Sequence, residues 1–152
     1  MALHTRALVA AKWLADAVKC NRVGPSLRVL DTSWYLPKLK RNAKKEFKQK
    51  HIPDTEPGHI PGSINMPFTS FLAPSGLTLP REEMTGLFQR AGVDLGRPVC
   101  VSCGSGVTAC HVALAAHLCG HPGVSVYDGA WSEWYTRAVP ENVISDGRGK
   151  HV

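Results

Sequence analysis

Residues 98–119 read PVCVSCGSGVTACHVALAAHLC, and three kinds of segment follow one another in this run. Apolar residues 98–102 predict a short strand, and apolar residues 110–119 predict a buried helix. Between the two lie the glycines of Cys103-Gly104-Ser105-Gly106, which let the backbone turn tightly. The order of strand, glycine loop and helix is typical of an α/β protein, and here a cysteine opens the loop.

The position of Cys103 predicts a reactive thiol. A curled loop above a helix N-terminus directs several N–H groups inward, and the helix dipole adds positive potential there. Such surroundings stabilise a thiolate. The alternative is a structural cysteine beside an ordinary turn, which a lone Cys-Gly pair would favour. The combination of strand, loop and helix favours the reactive cysteine instead.

Three more helices are predicted from the sequence. The first lies within residues 1–18, and an alternative interpretation of this segment is a weak mitochondrial presequence. The second begins near Pro80 and ends at Gly92, and the third is a short aromatic helix around residues 131–135. The apolar faces of the first two helices are predicted to be Leu8, Ala11, Ala15 and Val18, and Met84, Leu87, Phe88 and Ala91.

Short apolar runs predict strands at residues 27–30, 64–67 and 124–127, in addition to 98–102. Because these strands alternate with helices, we expect a parallel sheet that is covered on both faces. The functional site of such a sheet lies at the carboxyl ends of its strands, where Cys103 falls. Asp31 and Asp128 also end strands there, and we interpret both as turn or cap residues.

Length and composition restrict the class of protein. A chain of 152 residues predicts one domain, and no run of about 18 apolar residues predicts a membrane span. The five cysteines are an odd number without a secretory signal, which favours free thiols in a reducing compartment. We expect no metal site, because the only Cys and His cluster fits no common zinc spacing: Cys110, His111, His117, Cys119 and His121.

The net charge of +6 is concentrated in one segment. Residues 38–50 contain seven Lys or Arg and one Glu, so the rest of the chain is neutral. We interpret this segment as a solvated surface stretch, with attraction of anionic substrates as the alternative. Nucleic acid is not an expected partner, because aromatic residues are not interleaved with the basic ones.

Three blocks of the chain resemble the rhodanese family of sulfurtransferases: residues 56–68, 103–109 and 127–135. The loop Cys-Gly-Ser-Gly-Val is similar to that of the 3-mercaptopyruvate branch of the family. The resemblance covers nearly the whole chain. It implies a single rhodanese-like domain, with a parallel sheet flanked by helices on both faces.

The resemblance also implies that the domain is composite, because vertebrate members of the family have two tandem domains. Residues 1–53 resemble the start of the first domain, and residues 55–139 resemble the later part of the second. Residues 140–152 form a polar tail. The join is visible as a short repeat, because His51-Ile52-Pro53 recurs as His59-Ile60-Pro61.

The resemblance implies that Cys103 forms a persulfide with sulfur from 3-mercaptopyruvate or thiosulfate, and that a thiol such as reduced thioredoxin, or cyanide, then takes this sulfur. Ser105 matches a serine that is thought to handle protons. Backbone donors to the substrate are implied for four loop residues: Gly104, Gly106, Val107 and Thr108. No cofactor is implied, and the expected compartment is the cytoplasm, the mitochondrial matrix or both, in hydrogen sulfide metabolism.

Two positions depart from related patterns. Phosphatases and arsenate reductases of the same fold need an arginine six residues after the cysteine, and Ala109 stands there. Ser33 aligns with the substrate arginine of the second family domain. A serine hydroxyl does not neutralise a substrate carboxylate, so we expect weak turnover. The alternative function is therefore a catalytically weak domain that acts as a persulfide carrier or binding module.

Overall fold

The computed structural model describes residues 9–24, 26–32 and 55–145. The helices in these ranges are α1 Ala11–Lys19, α2 Arg81–Arg90, α3 Val107–Leu118 and α4 Ala130–Arg137. The strands are β1 Arg28–Asp31, β2 Gly58–His59, β3 Ile64–Asn65, β4 Val99–Ser102, β5 Ser125–Val126 and β6 Ile144–Ser145. Single 3-10 turns form at Phe68–Phe71 and Pro140–Asn142.

Four of the strands form one parallel sheet in the order β3-β1-β4-β5. In the register of this sheet, Val29 lies beside Cys100, and Asp31 lies beside Ser102. Strand β1 therefore lies between β3 and β4, although both follow it in the sequence after residue 55. The alternation of strands with helices and their parallel arrangement confirm the predicted α/β class.

The sheet has a hydrophobic core on each face, because successive strand residues point to opposite sides. On one side, Leu30 and Val101 pack with buried residues of α2 and α3. On the other side, Val29 and Cys100 pack with buried residues of α1 and α4. Helices thus cover both faces, as the sequence predicted.

Helix α2 has the boundaries and the apolar face that the sequence predicted. Pro80 is its N-cap residue, and Met84 and Phe88 are buried. Leu87 and Ala91 pack against the same core as partly buried residues. Gly92, at φ 71°, follows the last turn in the left-handed conformation that favours glycine.

Helix α3 is less buried than the sequence predicted. Val107, Leu114 and Leu118 are 75%, 50% and 46% exposed. The buried side chains occupy one side of the helix: Ala109, Val112, Ala115 and Ala116. Only one side of α3 packs against the core, so the predicted buried helix is buried on that side alone. Over the described ranges, no helix combines the length and the apolar character that crossing a membrane requires.

The buried face of α1 is also different from the predicted one. Leu14 and Ala17 are fully buried. Ala11, Ala15 and Val18 lie at the edge of the core as partly buried residues. Most residues of the predicted face therefore lie at the edge of the core. The fully buried residues, Leu14 and Ala17, are each one position before a predicted one. Leu8 lies outside the described residues.

A two-stranded antiparallel sheet was not predicted. Strand β2 pairs with β6, so that Gly58 lies beside Ser145 and His59 beside Ile144. From the sequence, residues 140–152 are only a polar tail, because two residues are too few to show a strand periodicity.

Candidate active site

Cys103 follows the last residue of β4 at the carboxyl edge of the parallel sheet. The side chain is almost enclosed, with 3% of the residue exposed. The backbone N–H of Gly106 donates a hydrogen bond to Cys103 Sγ at 3.0 Å. A sulfur atom that accepts a backbone N–H is well placed to carry negative charge.

Gly106 gives the loop its shape. It is the N-cap of α3 and has φ 91°, a conformation that side chains disfavour. A Cβ atom here would lie 2.7 Å from the carbonyl oxygen of Asp128 and 2.9 Å from its Oδ1. The loop therefore needs glycine both for its conformation and for its close approach to Asp128.

The other predicted site residues line the loop around this turn. Gly104 and Thr108 are half-buried, whereas Ser105 and Val107 are exposed. The exposed side chains face solvent beside the loop rather than the enclosed sulfur. The proton-handling role of Ser105 stays a prediction, as do the substrate-binding roles of the four other loop residues: Gly104, Gly106, Val107 and Thr108.

Helix α4 holds the carbonyl side of the loop. The backbone N–H of Trp131 donates to the carbonyl oxygen of Cys103 at 2.9 Å, and that of Ser132 donates to Gly104 at 3.3 Å. First-turn N–H groups have no partner within their own helix, so they are available for such contacts. The loop therefore directs carbonyl oxygens towards α4 while the N–H of Gly106 points at the sulfur.

A cavity of about 10 Å³ borders Cys103. This is close to the smallest volume that holds one water molecule. Its other lining residues come from β1, β4, the segment after β2, and α4: Val29, Asp31, Ile60, Ser63, Ser102 and Trp131. The sequence predicts Asp31 as a turn or cap residue, and its position beside Ser102 also brings it to this cavity. Ile60, Ser63 and Trp131 were also missed, although all three belong to the blocks that resemble the rhodanese family.

Cys100 has a different environment from Cys103. It is fully buried in the core on the opposite side of the sheet. Burial raises its pKa from 9.0 to about 12, and a hydrogen bond with the backbone of Tyr127 opposes this only in part. Cys103 packs in the core that contains Leu30 and Val101 instead. All five cysteines are free thiols.

The histidine and cysteine cluster that the sequence contains is not gathered into a metal site. Within residues 9–24, 26–32 and 55–145, no three metal-ligating side chains come together. His121 is held by backbone groups, with Nε2 at 2.7 Å from the carbonyl oxygen of Arg97 and Nδ1 at 3.1 Å from the N–H of Gly123. Ser33 and the basic segment 38–50 lie outside the described residues.

The fold and the site define a class of protein, namely a parallel α/β domain with a cysteine loop at the carboxyl edge of its sheet. The sequence model of the rhodanese-like domain family matches residues 10–137. This chain belongs to the rhodanese-like domain family, which confirms the resemblance that its sequence motifs indicated.

Two curated relatives are sulfurtransferases. Human 3-mercaptopyruvate sulfurtransferase is 30% identical over 288 aligned positions, which take in 95% of this chain and 97% of that protein. Ninety-five per cent of 152 residues is about 144, so about half of those positions face a gap in this chain. Thiosulfate sulfurtransferase of Bos taurus is 52% identical over 92 residues, which are 60% of this chain and 31% of that protein.

A solved structure shares the fold. SseA from Escherichia coli, described with the rhodanese fold and catalytic mechanism of 3-mercaptopyruvate sulfotransferases, is similar with a TM-score of 0.59 and 33% identity. The match covers 88% of this chain and 44% of SseA. The matches therefore cover less than half the length of SseA and about a third of the bovine relative.

Proposed function

We propose that this protein is a sulfurtransferase in which Cys103 takes one sulfur atom from a small donor and holds it as a persulfide. The observation that carries the proposal is the backbone N–H of Gly106, which lies 3.0 Å from Cys103 Sγ. An amide that is already aimed at the sulfur stabilises negative charge that forms there during the reaction. The names of the curated relatives support the same chemistry.

3-Mercaptopyruvate is the donor that we propose first. The thiolate of Cys103 attacks the thiol sulfur of the donor, so that an S–S bond forms and the C–S bond of the donor breaks. The electron pair of the broken bond stays on the departing carbon, which takes up a proton, and pyruvate leaves. With thiosulfate as donor, its S–S bond breaks instead, and sulfite leaves with the electron pair.

A second thiol completes the cycle. Its thiolate attacks the outer sulfur of the persulfide, and Cys103 leaves as a thiolate. Reduced thioredoxin is the proposed protein acceptor, and cyanide is a small acceptor that leaves as thiocyanate. The hydroxyl of Ser105 is exposed, where it can exchange protons with the donor and with solvent. The proposed compartment is the cytoplasm or the mitochondrial matrix, in the metabolism of hydrogen sulfide.

A persulfide carrier or binding module is the second candidate. One observation favours it, because the cavity beside Cys103 is only about 10 Å³. That volume holds about one water molecule, whereas a three-carbon donor needs more. A carrier would receive its sulfur from the persulfide of another protein and would turn over small donors slowly.

Turnover of purified protein separates the two candidates. We expect pyruvate from 3-mercaptopyruvate in the presence of reduced thioredoxin or cyanide, and mass spectrometry should find one added sulfur atom on Cys103. A persulfide that forms only from a protein donor, without pyruvate release, would favour the carrier. If Cys103 takes up no sulfur from any donor, both proposals fail.

We also propose that the chain joins parts of two homologous domains, with residues 1–53 from the first and 55–139 from the second. The match to the human relative supports this arrangement, because about 144 residues of this chain are spread over 97% of that longer protein. Sequencing of transcripts across the codons for Pro53 tests it, and transcripts that always contain further exons between the two parts would contradict it.

A further inference from the structure

Trp131 joins the cysteine loop to the cavity beside it. Trp131 is the second residue of α4, directly after Ala130, and is 5% exposed. Its backbone N–H donates to the carbonyl oxygen of Cys103 at 2.9 Å, and it lines the cavity that Cys103 borders. One residue therefore contacts both the backbone of the cysteine and the space next to its sulfur.

The indole of Trp131 is fixed by a distant segment. Its Nε1–H donates to the carbonyl oxygen of Glu56 at 2.7 Å. The carboxylate of Glu56 in turn accepts a hydrogen bond from the hydroxyl of Ser145 at 2.5 Å. We call Glu56, β2 and β6 the clasp, because β2 and β6 pair with each other beside this tryptophan.

The backbone of β2 also packs closely against the indole ring. A Cβ atom at Gly58 would lie 2.7 Å from Cζ2 of Trp131 and 2.9 Å from Cη2, and it would overlap the carbonyl oxygen of Ile144. The ring of Tyr135 lies on another side, with the ring centres 5.7 Å apart. The indole is thus held by its N–H, by the backbone of β2 and by a second aromatic ring.

We propose that Trp131 is a positioning residue for sulfur transfer, and that the clasp sets its position. While the indole is held, the backbone N–H of Trp131 keeps the carbonyl of Cys103 turned towards α4. Because the carbonyl is held in this orientation, the N–H of Gly106, on the opposite side of the loop, stays directed at the sulfur. This inference rests on the proposed sulfurtransferase function, because it assigns Trp131 a role in the reaction of Cys103.

Trp131→Phe tests the inference, because it removes the indole N–H and leaves an aromatic ring. Loss of the bond to Glu56 should loosen the loop, since small displacements of reacting groups lower rates strongly. We expect kcat for persulfide formation from saturating donor to fall about tenfold, with a KM change below about threefold. Amide hydrogen exchange of Gly106, measured by NMR, should become about tenfold faster or more.

Trp134→Phe is the matched control. Trp134 lies in the same helix, is 1% exposed, and donates its indole N–H to the carbonyl oxygen of Asn142 at 2.8 Å. Each substitution therefore removes one bond from a buried indole to a backbone carbonyl. We expect similar losses of thermal stability from both, while Trp134→Phe leaves kcat and the exchange rate of Gly106 close to wild type.

A milder variant keeps the test decisive if Trp131→Phe does not fold. Ser145→Ala removes the outer bond of the clasp and leaves the indole in place, and it should lower kcat and speed the exchange of Gly106 by about two- to threefold. Equal effects of Trp131→Phe and Trp134→Phe on kcat, or an unchanged exchange rate of Gly106 in the folded clasp variants, would overturn the inference. The exchange measurement needs no turnover, so it tests Trp131 even if the wild-type protein transfers no sulfur.

Discussion

Cys100 and Cys103 lie three residues apart, yet the structure gives them opposite chemical surroundings. Both are almost inaccessible, with 0% and 3% of the residue exposed. Cys100 is enclosed within a strand by apolar groups, and burial raises its pKa to about 12. Cys103 follows the end of the same strand, where the N–H of Gly106 reaches its sulfur.

The comparison shows that burial alone does not decide whether a cysteine is inert. A central strand uses its own N–H groups for the sheet, so none is left for a neighbouring side chain. One residue beyond the strand, the loop has N–H groups without partners in the sheet or in α3. The strand end therefore separates a structural thiol from the proposed nucleophile.

The largest expected effect is that of Cys103→Ser. The hydroxyl is a far weaker nucleophile than a thiolate, so sulfur transfer should fall to background. Cys100→Ala should retain activity in the molecules that fold, and Cys20→Ser and Cys119→Ser should retain most of it. Donor turnover with thiocyanate detection is the measurement. Full activity of Cys103→Ser would show that the comparison assigns the wrong cysteine.

Gly106→Ala should have the next largest effect. The added Cβ would meet Asp128 at 2.7 Å, so the loop must shift and the N–H must move from the sulfur. We expect kcat to fall about ten- to a hundredfold, which is typical of losing a charge-stabilising donor.

Gly76→Ala is the control for this prediction. Gly76 has a similar positive φ of 82°, but nothing lies within 4 Å of an added Cβ. It should lower stability by about 1–2 kcal/mol without lowering kcat. If the two variants lose activity equally, left-handed strain rather than the contact with Asp128 explains the effect.

The buried thiol of Cys100 should lower the stability of the fold at alkaline pH. Its folded pKa of about 12 lies above the ordinary 9.0, so between these values the unfolded chain binds fewer protons. Stability therefore falls as pH rises through this window, by up to about 1.4 kcal/mol per pH unit, and is unaffected well below it.

Urea denaturation at pH 7 and pH 10.5, ~3.5 units apart, measures this effect. The loss of stability between the two conditions should be smaller in Cys100→Ala than in wild type by about 1–2 kcal/mol. Groups that titrate in this range away from Cys100 contribute to both proteins alike. Equal losses in both would mean that the buried thiol of Cys100 does not destabilise the fold at alkaline pH.

The smallest expected effect is that of a substitution at Ser33. This residue lies outside the described residues, so the prediction depends on the sequence alone. Ser33→Arg should raise kcat/KM for 3-mercaptopyruvate severalfold, because a guanidinium pairs with the carboxylate of the donor. The gain should be smaller for a donor without a carboxylate. An unchanged ratio between the two donors would mean that residue 33 does not face the loop.

The predictable elements were those in which local pattern and packing agree. Helix α2 has its proline, its acidic first turn and its apolar spacing within one segment, and the structure confirms it. The strand of Cys100 and the loop of Cys103 were also visible locally, since an apolar run and two glycines define them. Strands β2 and β6 were not visible, because each is only two residues long.

The α/β class, the family and the position of Cys103 at the end of a strand could all be predicted from the sequence. These depend on periodicity, glycine positions and motif residues that are neighbours along the chain. The surroundings of the sulfur could not, because the contacts come from distant segments that meet only in the folded protein. Asp31 from β1, Ile60 and Ser63 after β2, and Trp131 from α4 meet at one cavity. Pairing between strands and docking between helices bring them together, and no local pattern records such distances.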